Sequence, residues 1–280
     1  MSKLVKRIIW IVVAIAIVCV GYFSFFHTSK SEANTIKVGI MSGSKQEDNI
    51  WKQVAKTAED KYGLKVQFKR FSDYSQPNKA LSSGDIDVNA FQNYPFLENW
   101  NKANKSDIVA VGDTVIEPMR IYSYKYKLVT EIPKNAKIAV PNDTNNESRA
   151  LRTLQSAGLI KLNDTHQFAS KKDIVSNPKN IKIDEVDASQ TPRVLDDEAA
   201  SVVNGNFAQS SSLNPKKAIY TAPFDKNSHQ WVNFIAANKK DKDKKIIKDL
   251  VKAYQTEATK KEIKKQTGIN QQAAWDLKFK

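Results

Sequence analysis

Between residues 36 and 68 the chain runs apolar strand, amphipathic helix, apolar strand, and few folds accept that order. Residues 36–40 form a short buried-type strand that ends at Met41-Ser42-Gly43-Ser44. Ile50, Val54 and Ala58 follow at helical spacing, Gly63 stops the helix, and Leu64, Val66 and Phe68 alternate as a second strand. Two strands joined by a crossover helix pair in parallel, so the chain is predicted to be α/β.

A second unit of this kind occupies residues 138–158. An apolar strand (Ile138, Ala139, Val140) meets Pro141 and a polar cluster over 142–146, and a helix follows. Thr144-x-x-Glu147 has the pattern of a capping box, Leu151 and Leu154 share a helical face, and Gly158 stands where a C′ glycine belongs. Arg149 falls in the second turn, near a helix end whose free N–H groups and dipole favour an anion. A planar guanidinium there suits a carboxylate, which it binds through two parallel hydrogen bonds. The alternative is a capped loop with Arg149 on the surface.

Residues 71–100 are the densest stretch. A short helix over 78–82 leads through Gly84-Asp85 to a strand over 87–91, and Gln92, Asn93, Tyr94, Pro95 and Phe96 come after it. Ligands of open α/β sheets gather at the carboxyl ends of strands, where aromatic faces hold apolar or thioether groups. Phe91, Tyr94 and Phe96 are equally compatible with the core. Residues 108–111 and 121–124 read as strands leading toward a second lobe, and 181–186 as a strand within it. Residues 187–197 are helix-like, although Pro192 limits how that helix begins. Residues 199–203 form a small buried strand ending in Asn204-Gly205-Asn206, and 231–235 one more. Ile246, Ile247, Leu250, Val251 and Tyr254 mark one terminal helix and 257–266 a second. The lysine-rich run 239–248 reads as a solvated helix start.

At 280 residues, 41% of them hydrophobic, the chain can build a large core in two lobes. Its formal charge is +14. Without Lys3, Lys6, Arg7, Lys30 and Glu32 of the N-terminal 33 residues, 40 basic residues face 29 acidic ones, or +11. The lysines are scattered and no zinc-finger, RRM or basic-zipper pattern is present, so an anionic cell surface, not nucleic acid, is the expected neighbour. Lys3, Lys6 and Arg7 precede an uncharged, mostly apolar run over 8–26, close to bilayer-spanning length. The positive flank stays in the cytoplasm and puts the body of the chain outside. Cleavage after Ala33 would release that body; retention would leave it anchored. Cys19, the single cysteine, is a candidate lipidation site, but Val18 stands where lipoprotein signals carry a small residue. A membrane-embedded apolar residue is the favoured reading of Cys19.

Catalytic signatures are missing. The three histidines are His27, His166 and His229, and no HExxH, GxSxG, Walker A or GxGxxG sequence occurs. The pairs Asp85/Asp87 and Asp196/Asp197 lack an apolar setting and read as surface or capping residues. Asparagines, arginine and aromatics at strand ends hold a ligand well and transfer protons poorly. No cofactor or metal is expected, and no catalytic residue.

Several motifs together carry a family likeness: FSDYSQPNKAL (71–81), GDIDVNAFQNYPFL (84–97), VGDTVIEPMRIYS (111–123), AVPNDTNNESRALRTLQSAGLIKL (139–162), NPKNIKIDEVDASQTPRVLDD (177–197) and VVNGNFA (202–208), then WVNFI and KDLVKAYQ. They resemble, in order and spacing over residues 35–268, the methionine-binding lipoproteins (NlpA type) that serve ABC importers. The resemblance implies a type II periplasmic-binding-protein fold with two α/β lobes and a two-crossing hinge. Residues 1–33 would be signal or anchor, 34–122 plus 224–280 one lobe, and 123–223 the other.

The resemblance further implies a monomeric solute-binding protein outside the cytoplasm. It would be tethered to the membrane by its N-terminal segment or a lipid and would deliver an amino acid, L-methionine, to an ABC permease and its ATPase. Arg149 would take the carboxylate with Asn146 beside it. Asn233, Asn204 and Asn206 would offer amides near the amino-acid head, and Tyr74, Phe91 and Tyr94 would wall the side-chain pocket. Three positions depart from the family pattern: Asn93 replaces a histidine, Phe96 a tyrosine and Arg120 a small residue. Arg120 is expected to meet either Glu117 or a ligand carboxylate. A methionine-containing dipeptide or another amino acid, a lyase or dehydratase on the same fold, and a basic surface adhesin are the rival readings.

Overall fold

The computed structural model describes residues 34–163 and 166–279. The apolar run 8–26, its basic flank, Cys19 and the cleavage site at Ala33 lie outside the described residues. Among the described residues no helix is long and apolar enough to cross a membrane.

Strand β1 (Thr35–Met41) is buried along most of its length, as a central strand covered on both faces must be. The helix Lys45–Tyr62 follows it. Ser44 caps the helix by accepting from the N–H of Glu47, and Gly63, at φ 60°, sends its own N–H back to the carbonyls of Ala58 and Glu59. Trp51, Val54 and Ala58 pack on Ile36, Val38 and Ile40 in one core. Strands β2 (Lys65–Phe71), β3 (Val88–Asn93) and β4 (Ile108–Asp113) come next, joined by the helices Pro77–Ser83 and Tyr94–Asn104. The second of these helices differs from the sequence expectation of aromatics and amides following a strand end. Asn93 caps it by accepting from the N–H of Phe96 at 3.1 Å, and Pro95 in its first turn is a start signal that the aromatic reading of 92–96 passed over.

The chain then crosses through β5 (Val115–Ile116) to β6 (Arg120–Tyr122) and β7 (Lys137–Pro141). The helix Thr144–Ser156 follows β7. Its N-cap is Asp143, not the expected Thr144: the Asp143 carboxylate accepts from the N–H of Asn146, a stronger acceptor one residue earlier. Gly158, at φ 76°, and Leu159 donate to the carbonyls of Gln155 and Leu154, which closes the helix as expected. A short hairpin of β8 (Lys161–Leu162) and β9 (Ile174–Ser176) precedes β10 (Lys182–Val186). The helix expected over 187–197 is reduced to the 3-10 turn Arg193–Leu195. Asp187 collects the N–H and hydroxyl of Ser189, so the chain turns before a helix can start.

Strand β11 (Ala200–Val203), the short helix Gly205–Ser210 and β12 (Tyr220–Thr221) complete the second sheet. Trp231, expected to open a strand, instead ends the 3-10 turn Ser228–Trp231, and β13 (Asn233–Asn238) begins after it. The helices Lys245–Tyr254 and Glu257–Thr267 follow, and β14 (Gln272–Ala273) pairs with β5. Residues 239–243 are turn, with the helix starting only at Lys245.

Two five-stranded sheets result, in the orders β2-β1-β3-β13-β4 and β10-β7-β11-β6-β12. In the first, β1 is parallel to β2 and β3 while β13 is antiparallel to both its neighbours. In the second, β7 is parallel to β10 and β11, and β6 is antiparallel to β11 and β12. Strand β6 falls at the end of the expected first lobe, 34–122, and hydrogen-bonds in the second sheet. The crossings at 114–119 and 222–232 run side by side, for Thr114 donates to the carbonyl of Asn233 at 2.7 Å and Ala222 to that of Met119 at 3.0 Å. The two sheets are thus lobes of a two-lobe α/β fold, hinged at a pair of adjacent segments.

Candidate functional site

A cavity opens where the two sheets face each other across the crossings. Arg149, Asn146, Asn204, Asn206, Asn233, Asn93, Tyr74 and Phe91 all line it. The sequence separates these residues by as much as 159 positions, and the carboxyl ends of β3, β7 and β11 bring them to one place.

Arg149 defines one end of the cavity. One guanidinium nitrogen, Nη2, donates to the carbonyl oxygen of Glu117 at 2.6 Å, and the group lies 4.8 Å from the centroid of the Trp231 ring. These two contacts fix its plane. Burial pulls its pKa down to about 10, with Glu117 pulling the other way, so it remains a cation at neutral pH. Among the described residues no carboxylate lies within ion-pair distance of it. Asn146 sits one turn earlier on the same helix, holding Asp143 through its Nδ2 at 3.0 and 3.1 Å and accepting from Nδ2 of Asn204 at 2.8 Å. A chain of amides therefore runs from the helix start across to the end of β11.

Aromatic rings define the other end. Tyr74, Phe91 and Phe96 pack with centroids 5.5 to 5.9 Å apart, and Phe207 closes on Tyr74 at 4.9 Å. The hydroxyl of Tyr74 donates to Oδ1 of Asn206, which ties this wall to the opposite lobe. Below it, Asn78, Asn89 and Gln92 exchange four amide hydrogen bonds of 2.8 to 3.0 Å in nearly complete burial. That network fixes the end of β3 beneath the rings. Asn93 has a second partner across the cleft, Nδ2 of Asn145, at 3.2 Å.

Two expected site residues are not brought to the wall. Tyr94 opens the helix Tyr94–Asn104 and turns its hydroxyl to Oδ1 of Asp113 at 2.6 Å, with its ring on His229 and Phe234. Arg120 is buried away from the cavity, where Nη2 donates to the carbonyl of Ile269 at 2.9 Å. Among the described residues it forms no ion pair with Glu117 at contact distance, so the acid expected as its internal partner is not the group it touches.

Among the wall residues that the sequence does not mark for the site are Glu47, Glu117, Trp231 and Gln271. Glu117 stood in the sequence only as a possible partner for Arg120. It is buried, which raises its carboxyl pKa, and it is held by Gln271 and by the backbone N–H of Asn206. Gly205 makes that placement possible, because a Cβ there would lie 2.2 Å from Oε2 of Glu117. Trp231 and Gln271 reach the cavity from the return crossing and the C-terminal segment, and no local pattern marks either. Among the described residues no group of His, Cys, Asp and Glu is arranged to hold a metal.

The model of the NlpA lipoprotein family matches residues 36–275. A probable D-methionine-binding lipoprotein MetQ of Haemophilus influenzae is 44% identical over 233 residues, covering 82% of this chain and 84% of the relative. The crystal structure of the substrate binding protein of a methionine transporter from Streptococcus pneumoniae aligns with TM-score 0.82 and 44% identity, over 86% of this chain and 96% of that one. A nutrient binding protein from Burkholderia cenocepacia, solved bound to methionine, aligns with TM-score 0.81 and 44% identity, over 85% and 99%.

Proposed function

This chain belongs to the NlpA lipoprotein family, and on that premise we propose that it is the extracytoplasmic solute-binding component of an ABC importer, with methionine in the cavity between its lobes. It is a binding protein and not an enzyme, as its relatives are. The observation that carries the reading is Arg149: a cation fixed by Glu117 and Trp231 and lining a cavity, with no carboxylate of the described residues within ion-pair distance. An unpaired charge in a largely closed site is costly, and the carboxylate of an amino acid removes that cost through two charge-assisted hydrogen bonds.

Asn146, Asn204, Asn206 and Asn233 orient the amino-acid head, while Tyr74, Phe91 and Phe96 receive the thioether side chain, a favourable pairing of sulfur with ring edges. Asn93 holds the two lobes together beside them. Closure about the paired crossings would bury the ligand, and opening at the permease would release it. Arg120 is assigned here to the support of the C-terminal segment, not to the ligand. One experiment tests the reading. Mass spectrometry of ligand carried through purification should find methionine; a dipeptide or another amino acid would replace it in the account.

The family and the N-terminal sequence support attachment of the body to the outer face of the membrane. The favoured anchor is the retained apolar run 8–26 with Lys3, Lys6 and Arg7 inside. Mass spectrometry of the mature N-terminus decides: a chain starting at Asn34 means release without an anchor, and a diacylated Cys19 means a lipid.

A further inference from the structure

On the wall built by the helix Lys45–Tyr62, the first crossing and the C-terminal segment, hydrogen-bond acceptors converge without a matching set of donors. Ser44-x-x-Glu47 has the capping-box pattern, in which the glutamate ordinarily reaches back to the N-cap backbone. Only half of that box forms. Ser44 Oγ accepts from the N–H of Glu47 at 3.1 Å, but the Glu47 carboxyl turns to the cavity instead. Its Oε1 accepts from Nε1 of Trp51 at 2.8 Å and its Oε2 lies 3.5 Å from Nε2 of Gln271. That same Gln271 nitrogen donates to Oε1 of Glu117. One amide thus serves two carboxyls.

Gln271 itself is 6% exposed, and its Oε1 is buried with no donor; Oδ1 of Asn204, on the same cavity, is also without one. Among the described residues no Lys, Arg or His lies within ion-pair distance of Glu47 or Glu117. Against one orphan donor on the same cavity, Nε2 of Gln209, stand two carboxyls and two orphan amide oxygens, an excess of acceptors that calls for a small cation bearing several N–H bonds.

We propose that Glu47, acting with Glu117 and Oε1 of Gln271, takes the ligand's ammonium group and gives up a proton to solvent when that group arrives. This rests on the reading that an amino acid occupies the cavity with its carboxylate on Arg149. Arg120 serves the same pole indirectly, since its bond to the carbonyl of Ile269 holds the turn from which Gln271 projects.

The groups facing Glu47 agree with proton release. Asp48 lies on its own helix, Glu117 comes from the crossing, and Tyr254, neutral because burial raises its pKa, from the helix Lys245–Tyr254, so no cation is among them. Burial, and then the charge of Glu117, push its carboxyl up to about 7. An arriving ammonium favours the ionised pair and lowers that value. The complex then holds fewer protons than the free protein, so affinity rises with pH up to about 7 and levels above it. For one proton the slope is at most about tenfold in Kd per pH unit.

The test is titration calorimetry of the full-length protein with L-methionine and with its desamino analogue, 4-(methylthio)butanoate. It spans about pH 5.5 to about 8.5 in two buffers of different ionisation enthalpy. Wild type should release a proton below pH 7 and bind methionine more weakly as pH falls; the analogue should bind weakly with no such slope. Glu47→Gln, which keeps an acceptor for Trp51, should flatten the methionine profile and abolish proton release while its circular dichroism is unchanged. A flat profile without proton release in wild type, or an analogue that binds as tightly as methionine, overturns the assignment alone. No methionine binding at any pH overturns the functional reading and the assignment with it.

Discussion

Gly205 and Glu117 occupy space that admits no methyl group: a Cβ on Gly205 would stand 2.2 Å from Oε2 of Glu117 and 2.7 Å from its Cδ. The glycine begins the helix Gly205–Ser210, so its backbone is held, and Glu117 is buried between the lobes. Gly205→Ala should therefore displace the carboxyl, lower thermal stability by the ~1–3 kcal/mol of an overpacked site, and weaken methionine binding as well. Thermal unfolding and calorimetry on the same variant check both; a variant with both values unchanged would mean that Glu117 moves freely.

Arg149→Ala should cost about 2–5 kcal/mol of methionine affinity, the range for truncating one partner of a desolvated charge pair. Its effect on stability should be small, because among the described residues the guanidinium makes only one hydrogen bond and one ring contact. Arg149→Lys keeps the charge but loses the two-pronged donor and the fit on Trp231, so it should recover little of the loss. Full recovery by lysine would reduce the role of Arg149 to a point charge.

Arg120→Gly should leave the ranking of ligands as it is, with free methionine first, because Arg120 lies off the cavity. The variant should melt lower, as a carbonyl that accepted from a charged donor loses it, at about 1.5–3 kcal/mol. A thermal-shift screen of amino acids and dipeptides against both proteins measures ranking and stability together. A changed ranking would return Arg120 to the specificity of the cleft.

Asn78→Ala removes the hub of the amide network under the aromatic wall and leaves Asn89 and Gln92 short of partners in a fully buried place. Each unmet group costs about 1–3 kcal/mol, so urea unfolding should show one of the larger losses available from a single side chain. A loss under about 1 kcal/mol would mean that solvent or rearranged amides satisfy them.

Much of this arrangement is legible in the residues before any coordinates. Periodicity finds β1, the helix Lys45–Tyr62 and β2, and the polar endings of strands find Asn146, Arg149, Asn204 and Asn206, because strand ends in such sheets face one cleft. Local chemistry is less legible where two signals compete. Asp143 and Thr144 are both good caps and the carboxylate wins; Tyr94 looks like pocket wall until Asn93 and Pro95 are read as a helix start. Glu47, Trp231 and Gln271 are beyond local reading altogether. Glu47 hides in a capping pattern that it half abandons, and Gln271 reaches Glu117 over 154 positions. Contacts of that range depend on how the C-terminal segment folds back between the lobes, which no periodicity encodes.

The most direct test of the account is calorimetric titration of L-methionine into full-length protein stripped of ligand by unfolding and refolding, beside Arg149→Ala treated alike. One methionine per chain bound by wild type, with the variant weaker by at least about thirtyfold, is the result expected from a carboxylate held by Arg149. Equal affinity in the two proteins, or no binding by a correctly refolded wild type, would contradict it.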